Sequence, residues 1–562
     1  MMNKAVKITL GLMLVGSAVF AQSLTDARKA IDAEQYQKGK ALLKTLTSSQ
    51  PTNAENFFVL GNLYLTTSPI NQRPDYIDSA KASFDKGVAA NAEYPLNFIG
   101  LGAVDLAKNA NPKANFDKAV ALTKKKDHTT DLYIGKAYTY APVPKIPEAL
   151  THLAKAKALN EKDAQVFLAL GDAYRSQMKN SEAFSAYRTA YDLDKSMLRS
   201  KVELGKINKL SKAYPESIAE YNSVVGLDPN YGPAYRELAE SYYLWSFTSQ
   251  KEYDGRMKQA LSNYEKYMDL TDRSLDSRLR HAAFLYLTKD FKALEAEANA
   301  MAKIDKVNPR VLRYLAYSAF ENGNYAASSQ ALKDFMAKVE PSRIISQDYL
   351  YLGRAQMKDT TQLTEGMVNI TKAVAMDSTN AAVMSEIGSA LYKAKKYKDA
   401  AKAYEVSIKN PERLIMDYWY LGSSYYFDYA AQKNANLNPP NDLLVKADSA
   451  FSYLAQRSPT TYAAWQYRGR INRLLDGAED AKGLAVPYFE KYVNVLTVEK
   501  PEEAAKPTNI RGLVEAYTYL GSVAARRDGN NTKAKEYFDK VLALDPNNTT
   551  AQQAIKAIGG SK

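Results

Sequence analysis

The chain of 562 residues contains no cysteine, only three histidines and only three tryptophans. Without cysteine there is no disulfide, no thiolate zinc site, no cysteine nucleophile and no cysteine-linked lipid anchor. His128, His152 and His281 lie far apart and match no H-E-x-x-H or related metal spacing, so they read as structural. No stretch after the N-terminus approaches the roughly 18 consecutive apolar residues of a membrane-spanning helix. Catalytic signatures are equally sparse. There is no G-x-x-x-x-G-K-[ST] loop and no G-x-S-x-G elbow. Ser83-Phe84-Asp85-Lys86 fits S-x-x-K, but the S-D-N and K-T-G elements that should accompany it are missing. Gly100-Leu101-Gly102 lacks the third glycine of a dinucleotide turn, and Asp228-Pro229-Asn230 lacks the glutamate that closes a calcium loop. No catalytic residue, metal or cofactor is expected.

What is present is ordinary in bulk and regular in detail. Hydrophobic residues make up 46% and charged residues 24%, the balance of a folded protein. The length exceeds a single core, so several domains or a repeat array is expected. The net charge of +13 permits attraction to acidic proteins, anionic polymers or nucleic acid without choosing among them. Residues 1–21 read as a secretory signal peptide: Lys4 and Lys7 are basic, Ile8 to Val15 is apolar, and Val19-Phe20-Ala21 offers a small-residue cleavage site. The mature chain is therefore expected to be exported, to the periplasm or the periplasmic side of the outer membrane of a Gram-negative cell, with no transmembrane segment.

The segment Ala164 to Met197 shows the repeating unit most clearly. Phe167, Leu170, Gly171 and Tyr174 share one face of a first helix, and Ala183, Tyr187 and Ala190 one face of a second. The small residues let the two backbones approach, and such a pair buries its remaining apolar face only by stacking on a neighbour. The same slots recur at Gly61 with Phe84, Gly135 with Ala149, Gly205 with Tyr221, Gly388 with Tyr404, Gly422 with Phe451, and Gly521 with Phe538. Copies around His281–Ala300 and Leu315–Phe335 lack the glycine. Asp228-Pro229 and Asp545-Pro546 punctuate joints between copies, because proline cannot continue a helix.

This pattern resembles the tetratricopeptide repeat (TPR) over essentially the whole mature chain. The resemblance implies an all-α, right-handed solenoid of about fourteen helix pairs with a C-terminal cap helix. The expected blocks are 22–274 and 275–549, with the cap helix and tail at 550–562. The inserts at 66–79, 243–257 and 431–443 are expected to project between paired helices, and Thr497–Asn509 to be a loosely packed connection.

In TPR proteins the first helices line a concave groove that holds peptides or partner helices. The carboxylate-gripping clamp of some members is not expected here: Asn62 fits one slot, but Phe58 stands where lysine should be. Groove positions in the N-terminal part are mixed and fairly small or apolar: Phe58, Asn62, Ala103, Lys136, Leu168 and Asp172. Toward the C-terminus they turn basic and aromatic, with Arg354, Lys358, Lys393, Trp419, Tyr426, Phe427, Arg470, Arg473 and Arg526. Side chains of these types dominate interface energetics. They are expected to form a partner-binding groove for other cell-envelope proteins, or for an anionic envelope polymer such as a glycan or peptidoglycan. The alternative is that Trp419 and Phe427 pack on the next repeat and the arginines bridge local carboxylates. Nucleic acid is not an expected partner, since export argues against it.

Overall fold

The computed structural model describes residues 23–70, 73–411, 413–477 and 482–560. The expected signal peptide lies outside them. The described residues form helices and turns with no strand. Consecutive helices pair in order from Leu24–Asp32 with Tyr36–Ser49 to Pro507–Arg526 with Asn531–Leu544, fourteen pairs in all. The helix Thr549–Gly560 then packs on the last pair as the cap. The fold is an all-α solenoid of TPR type. Among the described residues no helix is long and apolar enough to cross a membrane.

Within a repeat, the first helix is pressed against a large side chain of the second. The buried Tyr187 ring lies so near Gly171 that a methyl group there would sit 2.4 Å from it. Ala183 and Ala190, beside Tyr187 on the second helix, have no exposed surface. Full burial of a ring of this size is worth about 2–3 kcal/mol, which makes the slot a main source of cohesion. In the two copies without glycine, Ala282 and Ala316 occupy the slot. Where Tyr187 follows Gly171 by sixteen residues, Ala298 and Leu332 follow these alanines, fully buried. With no aromatic ring to admit, the slot accommodates a methyl group.

Joints between repeats are built from side chains that accept backbone N–H groups two residues on. Asn91, Asn160, Asp194, Asp228, Asp305 and Asp377 each do so at 2.9–3.1 Å, to Glu93, Lys162, Ser196, Asn230, Val307 and Thr379 respectively. This local bond offers the chain an alternative to helix continuation, so the second helix ends there.

Two expectations fail. The inserts project less than expected, because the helices lengthen into them, Ala54–Ile70 with Asp75–Ala90, Gly232–Ser246 with Tyr253–Leu270, and Ile415–Asn434 with Asp442–Arg457, leaving 247–252 and 435–441 as short connections. The Thr497–Asn509 connection is not loose. Val495–Glu499 is a π-helical turn, and Pro501 and Pro507 each sit at the first position of a helix, where proline's missing N–H costs nothing. Val495 and Leu496, which open that turn, are fully buried.

The chain divides into two compact units, Met1–Tyr314 and Leu315–Lys562. The division falls inside the helix Pro309–Glu321, between the alanine slots at Ala282 and Ala316.

Candidate functional site

In the N-terminal unit the seventh repeat meets the first. The Tyr231 hydroxyl donates to Asp32 at 3.0 Å, and the Tyr267 hydroxyl donates to Glu34 at 2.9 Å. Arg236 pairs with Glu34 at 2.5 Å, and the Gln37 backbone N–H donates to Asp272 at 2.9 Å. Gly232 makes the approach possible: a Cβ there would meet the Thr271 methyl at 2.7 Å and the Ala33 carbonyl at 3.4 Å. The first seven repeats of the unit thus form a closed turn.

The first helices line its inside with a chain of ion pairs. Arg199 holds Asp172 at 2.8 Å, and the hydroxyls of Tyr140 and Tyr187 donate to the same carboxylate. Lys206 lies 2.9 Å from Glu203 and 3.8 Å from Glu237. Lys209 and Arg236 also hold Glu237, at 2.5 and 3.2 Å, and Arg236 carries the chain on to Glu34 in the first repeat. Burial alone would raise the Glu237 carboxyl, but the charges of Lys206, Lys209 and Arg236 outweigh it and hold the group down to about 2. Tyr140 keeps 52% of its surface exposed, yet desolvation is the chief cause pushing its hydroxyl upward. A side chain on a tightly curved inner wall is wet and enclosed at once, which reconciles the two. Of the positions expected to be mixed and fairly small or apolar, Phe58, Leu168 and Asp172 are buried, and Asp172 belongs to the ion chain. Asn62 donates to the Phe58 carbonyl of its own helix at 3.0 Å and is not part of a clamp.

In the C-terminal unit the nine expected groove residues fall into groups. Trp419 meets Phe451 and Tyr467 edge-on at 5.4 and 5.3 Å. Tyr426 contacts Phe427 at 5.4 Å and Tyr467 at 5.3 Å, and Phe427 lies 5.3 Å from Tyr397. Arg470 stands over Tyr467 at 5.6 Å and grips Glu515 with two nitrogens, at 2.9 and 2.5 Å. Trp419, Tyr426, Phe427 and Arg470 are therefore joined through Tyr467. Arg354 lies over Phe320 at 5.1 Å and 3.6 Å from Glu386, and Lys358 lies over Tyr325 at 5.6 Å. Arg473 is exposed and sits over Tyr519 at 5.6 Å. Lys393 and Arg526 are exposed at the C-terminal ends of their helices, where a cation also suits the helix dipole. Tyr392, Tyr397 and Tyr467 belong to the ring cluster although groove spacing alone does not mark all of them. Tyr467 sits three residues before Arg470, one helical turn away.

Stacked helix pairs with a small-residue slot define a TPR solenoid in both units. No protein-family model and no curated protein matches the chain. Among solved structures it is similar to the C-terminal part of a TPR repeat-containing protein from Cytophaga hutchinsonii, at 26% identity and a TM-score of 0.32, over 49% of this chain and 99% of that one. It is also similar to PilF of Pseudomonas aeruginosa, at 18% identity and a TM-score of 0.33, over 41% of this chain and 97% of that one. A tetratricopeptide repeat protein from Parabacteroides merdae is 15% identical with a TM-score of 0.31, over 44% of this chain and 93% of that one.

Proposed function

We propose that the protein is a non-catalytic scaffold, exported to the periplasm or the periplasmic side of the outer membrane, that binds other cell-envelope proteins through the C-terminal unit. The observation that carries this reading is the ring cluster of Tyr392, Tyr397, Tyr426, Phe427 and Tyr467, half-buried, with the exposed Lys393 next to Tyr392 in sequence and the exposed Arg526 on a later first helix. Such a surface offers aromatic anchors without a full desolvation cost, and charges that steer an acidic partner. Arg470 and Arg354 contribute less to steering, because Glu515 and Glu386 already face them.

The test is cross-linking in intact cells followed by capture, comparing the wild type with Lys393→Glu/Arg526→Glu and with Tyr426→Ala. A few defined proteins should be trapped by the wild type and lost from both variants. An unchanged set of trapped proteins overturns the reading. Retention of the purified wild-type chain on isolated peptidoglycan, with no protein trapped, transfers the site to an envelope glycan.

A further inference from the structure

The inner wall of the N-terminal unit has one cation that its neighbours leave unmatched. Lys136 projects from the first helix of the fourth repeat, Thr129–Thr139. Four elements bring charged or titratable groups around it. Tyr133 shares its helix and Tyr140 caps it, Arg28 and Asp32 come from Leu24–Asp32, Asp163 and Asp172 from the fifth repeat, and Arg199 from the sixth. Each of these carboxylates already has a donor: Asp32 has Tyr231 at 3.0 Å, Asp163 has His128 at 2.6 Å, and Asp172 has Arg199 at 2.8 Å. Arg28 is held by Glu55 at 2.7 Å. The Lys136 ammonium has the face of Tyr133 at 5.2 Å, and among the described residues no carboxylate within 4 Å and no side-chain hydrogen bond.

We propose that the closed N-terminal turn binds a compact oxyanion, a phosphate or a short carboxylate, on the Lys136 ammonium. An ammonium carries three donors and no acceptor, so what completes it must accept. A small multi-oxygen anion suits a point charge of this kind better than a planar group does. The lysine's own titration agrees with this. Burial first, and then the charge of Arg199, pull its amine down to about 8. Asp172 and Asp163 oppose that pull and Arg28 adds to it. A bound anion reverses the pull, so binding and protonation are linked.

The experiment uses the full chain with isotopically labelled lysine side chains, following the Lys136 amine by NMR while inorganic phosphate or acetate is added. With either anion the amine's titration point should move up, and affinity should fall about tenfold per pH unit above that point. Lys136→Gln should abolish binding of both. The wild-type titration stands independently if that variant fails to fold. Response to phosphate alone or to acetate alone identifies which oxyanion the site takes. No movement of the amine with either anion overturns the proposal. It is also overturned if a free-acid peptide binds where its amidated form does not and neither small anion acts.

Discussion

The two units use the same helix pair and arrive at opposite arrangements of charge. In the N-terminal unit, cations and carboxylates on neighbouring first helices neutralise each other, and the chain of pairs ends by tying residues more than 200 positions apart, as Arg236 to Glu34. In the C-terminal unit the described hydrogen bonds stay local, as in Arg470 to Glu515 across 45 positions or Tyr537 to Glu490 across 47. There, aromatic rings rather than carboxylates occupy much of the first-helix surface, and Lys393 and Arg526 remain exposed. A repeat array closes when its inner faces satisfy one another, and it keeps a usable surface when they do not.

Removing the centre of the ion chain should break this contrast most. Glu237→Ala leaves Lys206, Lys209 and Arg236 crowded without their carboxylate and should cost about 4 kcal/mol in the N-terminal unit. Differential unfolding followed by hydrogen exchange in each unit checks this; equal losses in both units would refute it. The same group sets a pH dependence. Its folded value lies below its unfolded one, so its contribution is complete above about 4.5 and is lost as pH falls toward about 2. Burial raises the Asp32 carboxyl, which gives the opposite sign: its ionisation costs stability, and acidification relieves that cost.

Next in size is the glycine slot. Gly171→Ala places a methyl group 2.4 Å from Tyr187 and should cost about 3 kcal/mol, whereas Gly521→Ala, 3.0 Å from Phe538, should cost about 1 kcal/mol. Denaturant midpoints of the two variants decide it, and a reversed order would show that the slots relax differently. Between these two falls the joint itself. Glu34→Ala should cost about 2 kcal/mol and raise hydrogen exchange in Leu24–Ser49 while leaving Leu315 onward unchanged.

The repeats were plain in the sequence because each slot lies within one 34-residue copy. Gly171 and Tyr187 are sixteen residues apart, and their sizes alone state the contact. The closure was not legible. Glu34, Arg236 and Asp272 look like any charges on a solvated helix end, and nothing local marks partners 200 residues away. Arg470 shows an intermediate case. Its type and groove position were clear, but its partner Glu515 lies 45 residues on, one repeat along the groove face. The inserts were misread for a different reason. Pro69 and the runs of polar residues signal a break, yet added helical turns keep backbone groups bonded better than a loop does.

The joint between Gln37 and Asp272 also imposes a timetable on synthesis. The first repeat leaves the ribosome with its far partner still unmade, and 235 residues separate the two. At about 5–20 residues per second, the wait is on the order of 10–50 s. During that interval the inner charges of the first repeats face solvent and whatever else is near them. Under the export proposed above, the same interval is when the chain must remain unfolded enough to be moved, so late closure and passage across a membrane are compatible.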